Sequence, residues 1–161
     1  MVQVFGSNEK GFHGGGAAHD AYKNHGAKYN VGFGPQGNSF AIPTCSKPTG
    51  EPGFKITSNA LRYYVYCFIL YAKMTAQGLT DNPADTKFKV TRIGTGLAGW
   101  KDEEVAPLFK EAPDNCQFDS AWDAPGLLPG RKYWGTYDQM VVVGSTAPFI
   151  AATITPDEED A

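Results

Sequence analysis

Val4-Phe5-Gly6-Ser7-Asn8-Glu9-Lys10-Gly11-Phe12-His13-Gly14-Gly15-Gly16-Ala17-Ala18 reads as a strand, a polar turn, a triple glycine and the opening of a helix. That order sets the backbone N–H groups of a helix N-terminus beside a strand end. There the macrodipole and the unpaired amides favour an anion, most often a phosphate. A second loop of the same kind, Ile93-Gly94-Thr95-Gly96-Leu97-Ala98-Gly99, follows another strand-like run. Two such loops facing each other across strand ends predict one nucleotide site between them.

The composition is that of a globular chain. Of 161 residues, 42% are hydrophobic and 13% aromatic, enough for one domain with a sizeable core. Eleven of the 19 glycines fall in the first 53 residues, so the excess belongs to particular loops and not to a repeat. A net charge of −3 argues against broad nucleic-acid binding, which needs a basic face, and leaves room for a small anionic ligand. Cys45, Cys67 and Cys116 lack C-x-x-C spacing, which points away from a disulfide framework or zinc site and towards a reducing compartment. The first residues carry no secretory signature, and the most apolar run, 63–72, is too short to span a bilayer. A cytoplasmic location with no membrane partner is therefore expected.

Along the chain, Val2–Phe5 predicts a buried strand, 6–16 a loop, and Ala17–Asn24 a helix closed near Gly26. Residues 28–37 read as irregular, with a short strand at most. Ser39–Pro43 reads as a second strand ended by its proline, and 44–56 as a surface loop. Thr57 or Ser58 caps a long helix reaching Gln77, with Gly78 behind it. Its Leu61, Tyr64, Val65, Phe68, Ile69 and Ala72 form a wide buried face. Phe88–Ile93 is the third strand. An acid-led helix follows Lys101, and Pro107 inside its pattern either keeps it short or marks its start; Cys116–Asp119 reads as a fourth strand. From residue 120 the texture changes: a linker-like loop at 125–130, then β-rich runs at 139–144 and 149–155 that read as a hairpin, then an acidic tail at 156–161. Alternation of strand and helix predicts an α/β fold with a partly parallel sheet, ligand at the carboxyl ends of the strands.

Several side chains carry candidate chemistry. Gly14, Gly15, Gly16 and Ala17 let a bulky group approach the backbone; Gly94, Thr95, Gly96 and Leu97 form the opposing cradle. Asn8 is either a ribose contact or a turn residue, and Trp100 either walls the site or packs in the core. His13 sits in the loop as a contact, an acid–base group or simply an exposed side chain, and Asp20 follows early in the helix, where it either assists or is merely solvated. The spacing of His13, His19 and His25 does not form a metal site on one helix face, and no cofactor motif is present.

The order of Val4–Asn8 with Gly14–Ala18, then Phe40-Ala41-Ile42-Pro43, then Phe88–Gly99 resembles macro domains. The combination of H-G-x-G-A-A, A-I-P-T and I-G-x-G-L-A-G also resembles a group of small phage and bacterial proteins. The resemblance covers roughly residues 2–119. It implies a three-layer α/β/α fold with a mixed sheet, in which 1–119 is a nucleotide-binding core and 120–161 an extension packed on the same domain. It implies an ADP-ribose-like ligand with Asn8 at the distal ribose, Gly14–Gly16 in the first phosphate loop and Gly94–Leu97 in the second. The N-terminal strands and early acidic residue of macro domains have no counterpart, which leaves the base open and suggests that the C-terminal hairpin fills their place in the sheet. Three functions follow from it: a binding or sequestering module for a nucleotide signal, in the host cytoplasm if phage-encoded; an ADP-ribosyl hydrolase in which Asn8 orients water and His13 or Asp20 assists; or an assembly protein on the same fold without a ligand.

Overall fold

The computed structural model describes residues 1–136. The expected hairpin at 139–155 and the acidic tail at 156–161 lie outside the described residues. The chain is an α/β fold built on a six-stranded mixed sheet, ordered β2-β3-β1-β4-β5-β6. Its elements are β1 (Val2–Asn8), α1 (Gly16–Asn24), β2 (Gly34–Gln36), β3 (Ser39–Cys45), α2 (Ser58–Ala76), β4 (Phe88–Val90), α3 (Asp102–Val105), β5 (Cys116–Asp119) and β6 (Tyr133–Gly135). β3, β1, β4, β5 and β6 run parallel; β2 is an antiparallel edge strand.

Alternation along the strands divides the side chains between two faces. Val2, Val4, Phe40, Ile42, Phe88, Val90 and Phe118 meet Leu61, Val65, Phe68, Ile69 and Ala72 of α2 in the main core. On the other face Phe5 and Ala41 meet Ala17, Ala18 and Ala21 of α1. Three alanines on one side of α1 let that short helix lie close to the sheet. The two helices therefore cover opposite faces, as a parallel sheet requires. Thr57 caps α2, its hydroxyl accepting from Ala60 N at 3.1 Å, and Gly78 follows the helix at φ +75°.

Three strand boundaries differ from the expectation, while the helix after Lys101 is short as expected. β1 runs on through Gly6, Ser7 and Asn8, because these pair with Ile42, Pro43 and Cys45, and Ser7 Oγ donates to Gly32 O at 2.9 Å. β3 continues through Pro43 to Cys45: β2 pairs only with Ser39–Ala41, so the proline lies on an open stretch of edge, where a missing donor interrupts no ladder. β4 stops at Val90, because the Thr91 N–H and hydroxyl both turn onto Val4 O, at 3.2 and 2.8 Å. The helix after Lys101 is a single turn, passing at Pro107 into a 3-10 turn over Ala106–Phe109.

From residue 120 to 136 the chain remains part of the same core. Trp122 and Leu128 are buried in the main cluster, Tyr133 packs against it, and β6 pairs with β5. Trp134 Nε1 donates to Val90 O at 2.8 Å, and Lys89 Nζ lies 4.3 Å from the centroid of its ring. Among the described residues, no helix is long and apolar enough to cross a membrane.

Candidate functional site

β1 is flanked by β3 and β4, and the helices that leave β1 and β3 lie on opposite faces of the sheet. In open α/β sheets ligands bind at such a switch point, at the carboxyl ends of the strands. Both glycine loops start there, residues 9–15 after β1 and 91–101 after β4.

The first loop is anchored to residues 28–33. Gly11 N donates to Asn8 O and Asn30 N to Gly11 O, each at 2.9 Å. Gly11 has φ +72°, and a Cβ on it would lie 2.4 Å from Val31 N; one on Gly32 would lie 2.1 Å from Asn8 O. The glycines at 11 and 32 therefore serve this close backbone approach. Asn8 closes the turn from within: Nδ2 donates to Phe12 O at 3.0 Å and Oδ1 accepts from Phe12 N at 3.1 Å. Its side chain is buried.

His13 is also buried, edge-on to Phe5 and tilted against Tyr29, with ring centroids 5.6 and 5.7 Å away. Its Nε2 lies 3.2 Å from Val31 O and acts as the donor, so Nδ1 carries the lone pair. Burial outweighs the neighbouring hydrogen bonds and holds the imidazole below its ordinary pKa, so it is neutral. Asp20 stands apart on α1, accepting from Asn24 Nδ2 at 2.7 Å with His25 Nε2 at 3.3 Å. Asn8, His13 and Asp20 thus each have separate partners, and no hydrogen bond joins any two of them.

Gly14 is exposed and Gly15 is extended, at φ −154°, where it leads α1 without a capping side chain. Gly16 at φ +56° makes the turn into the helix that Ala17 and Ala18 continue. Above Gly14 the nearest group to a Cβ would be the Tyr29 hydroxyl, at 3.8 Å.

The second loop leans over the end of β3. Gly94 has φ +74°, and a Cβ there would meet Trp100 Cδ1 at 2.8 Å and Thr44 Cβ at 3.2 Å. Trp100 bridges the two elements: its backbone N donates to Gly94 O and its Nε1 to Thr44 O, both at 2.9 Å. The indole packs with Cys45, Phe54 and Ala98, so it is a packing residue that also borders the loop. Thr95 turns its hydroxyl back onto Arg92 O at 2.8 Å, while Leu97 projects into solvent. Cys45 touches both loops: its carbonyl accepts from Glu9 N at 2.9 Å, and its side chain packs against Ala98.

Two contributors carry no periodic or motif signal in the sequence. Lys55, bridged antiparallel to Cys45, places Nζ 4.0 Å from where a Cβ on Gly99 would stand. Arg92 and Asp102 form a two-pronged ion pair, Nε to Oδ1 at 3.1 Å and NH2 to Oδ2 at 2.7 Å, with Trp122 Nε1 donating to Oδ1 at 2.7 Å. Burial alone would raise the Asp102 carboxyl, but these hydrogen bonds and the Arg92 charge outweigh it and hold the group below 3.8. A depressed carboxyl stabilises the fold fully above its unfolded pKa and loses that contribution as pH falls through the folded value. Stability is therefore expected to decline below about pH 4, and Asp102→Asn to remove that component while costing about 1–3 kcal/mol at neutral pH. Urea unfolding of both proteins at pH 7 and pH 3 checks this.

Among the described residues no three His, Cys, Asp or Glu side chains are grouped to hold a metal. No protein-family model, curated protein or solved structure matches the chain.

Proposed function

We propose that the chain is a binding module for an ADP-ribose-like diphosphate nucleotide, held between the start of α1 and the 94–99 loop. The observation that carries this reading is the placement of both glycine loops at the carboxyl ends of the adjacent strands β1 and β4, one of them opening α1 without a side-chain cap. Lys55 beside Gly99 adds a cation on the second side. The macro-domain-like order of motifs supports a diphosphate nucleotide of the ADP-ribose type and leaves its base open. Binding is favoured over ADP-ribosyl hydrolysis because the Asn8 amide is spent on Phe12 and His13 is enclosed, leaving neither open to orient water.

The test is a thermal-shift series with ADP-ribose, NAD and related nucleotides. At a hundredfold excess over Kd, stabilisation of about 2.7 kcal/mol corresponds to a rise of about 5–10 °C for a chain of this size. Gly15→Val and Gly96→Val are each expected to abolish the shift with little change in the ligand-free Tm, because neither position has a positive φ. A normal shift in both variants would show that the loops do not hold the ligand. No shift with any nucleotide would return the protein to a structural role.

A further inference from the structure

Among the described residues, one face of α2 is left without a partner. Tyr63, Tyr66, Leu70 and Met74 are 60%, 56%, 39% and 44% exposed, while Leu61, Val65, Phe68, Ile69 and Ala72 of the same helix are buried in the main core. Spacings of three, four and four residues put the exposed four on one stripe, over about 16 Å of helix at 1.5 Å per residue. Solvent exposure of single apolar residues is ordinary; a continuous stripe of this kind marks a protein contact.

The charges around the stripe specify its partner. Arg62 and Lys73 are exposed and eleven residues apart, three turns, so both lie along the same flank beside Tyr66 and Leu70. From Ser58 to Ala76 the helix has no acidic residue, although the whole chain carries −3. A second copy of α2 would offer no carboxylate in either orientation, and antiparallel pairing would press the two basic flanks together. We infer that this face of α2 docks an amphipathic helix of another protein, with apolar residues at three- and four-residue spacing and acidic residues along one edge. It lies on a different element from the glycine loops and does not depend on nucleotide binding.

The probes are two 18-residue synthetic helical peptides with leucines at that spacing, one flanked by glutamates and its twin by lysines. The glutamate peptide is expected to bind the full chain at least ten-fold tighter. Leu70→Asp weakens it ten-fold or more without lowering Tm, and the double variant Arg62→Glu/Lys73→Glu reverses the preference. Cys67, one turn from Tyr63, is the only cysteine not buried, so its alkylation by iodoacetamide reports the place of binding and is slowed by the glutamate peptide. Equal affinity for the two peptides, or unaltered Cys67 alkylation, overturns the inference. A dimer abolished by Leu70→Asp overturns it in favour of a second copy. Binding to phosphatidylserine vesicles lost in that variant overturns it in favour of a membrane surface.

Discussion

Trp122→Ala is expected to cost about 3–5 kcal/mol, the usual penalty for emptying a fully buried large aromatic site. Its ring is packed between Phe109 and Phe118, with centroids 5.7 and 6.1 Å away, and its indole N–H is one of three donors to Asp102. Removing it leaves a cavity between β5 and the turn at Ala106–Phe109 and weakens the ion pair that follows β4. Trp122→Phe keeps much of the packing and loses the hydrogen bond, so about 1–2 kcal/mol separates the two effects. Truncation after Asp119 goes further, removing Trp122, Leu128 and β6 together. Against a typical total of about 5–15 kcal/mol, the shortened chain is expected to lose its cooperative unfolding transition. Circular dichroism through a urea titration decides the matter: an unchanged midpoint would mean that residues after 119 are an appendage and not part of the sheet.

Gly11→Ala is the second large effect. Its φ of +72° is a left-handed conformation that costs an L residue about 1–2 kcal/mol. The added methyl must also displace the Val31 amide, 2.4 Å away, and Asn30 Cα, 2.8 Å away. These are backbone atoms that no rotamer change can move, so overpacking adds about 1–3 kcal/mol. The loss should appear as a lower denaturation midpoint and as faster exchange of the Asn30 amide, whose partner is Gly11 O. Because Gly14–Gly16 hang from this loop, the proposed nucleotide binding is expected to fall with it. Gly130→Ala supplies the contrast: at φ +73° it has nearly the same backbone strain and no neighbour within 4 Å, so the difference between the two variants isolates the steric part.

The helices were legible where local chemistry and burial agree. The Thr57 cap, the spacing from Leu61 to Ala72 and Gly78 mark α2 almost to the residue. The parallel strands were legible as apolar runs, but their ends were not. Whether Pro43 ends a strand depends on where β2 stops pairing, and whether Ser7 and Asn8 belong to β1 depends on partners at 32, 43 and 45. β6 is three residues with no alternating pattern, and only its pairing to β5 makes it a strand. At the candidate site the glycines could be read as positions of close approach; what approaches them could not. Gly11 and Gly94 serve protein atoms, Val31 in one case and Trp100 with Thr44 in the other. The inward turn of Asn8 and the burial of His13 follow from the 28–33 segment folding over the loop, a contact between parts of the chain that share no motif.

The central place of β1 has a consequence for synthesis. Its seven buried residues leave the ribosome before either neighbour, and its two edges wait for β3, complete at Cys45, and β4, complete at Val90. At about 5–20 residues per second, the second edge stays open for roughly 4–16 s after Asn8 is made. Throughout that interval Val2–Asn8 is an uncharged, β-prone ribbon able to pair with another nascent chain. Slowed codons before Val90 are therefore expected to cost more folded protein than the same codons after it, which the soluble yield of matched synonymous variants checks.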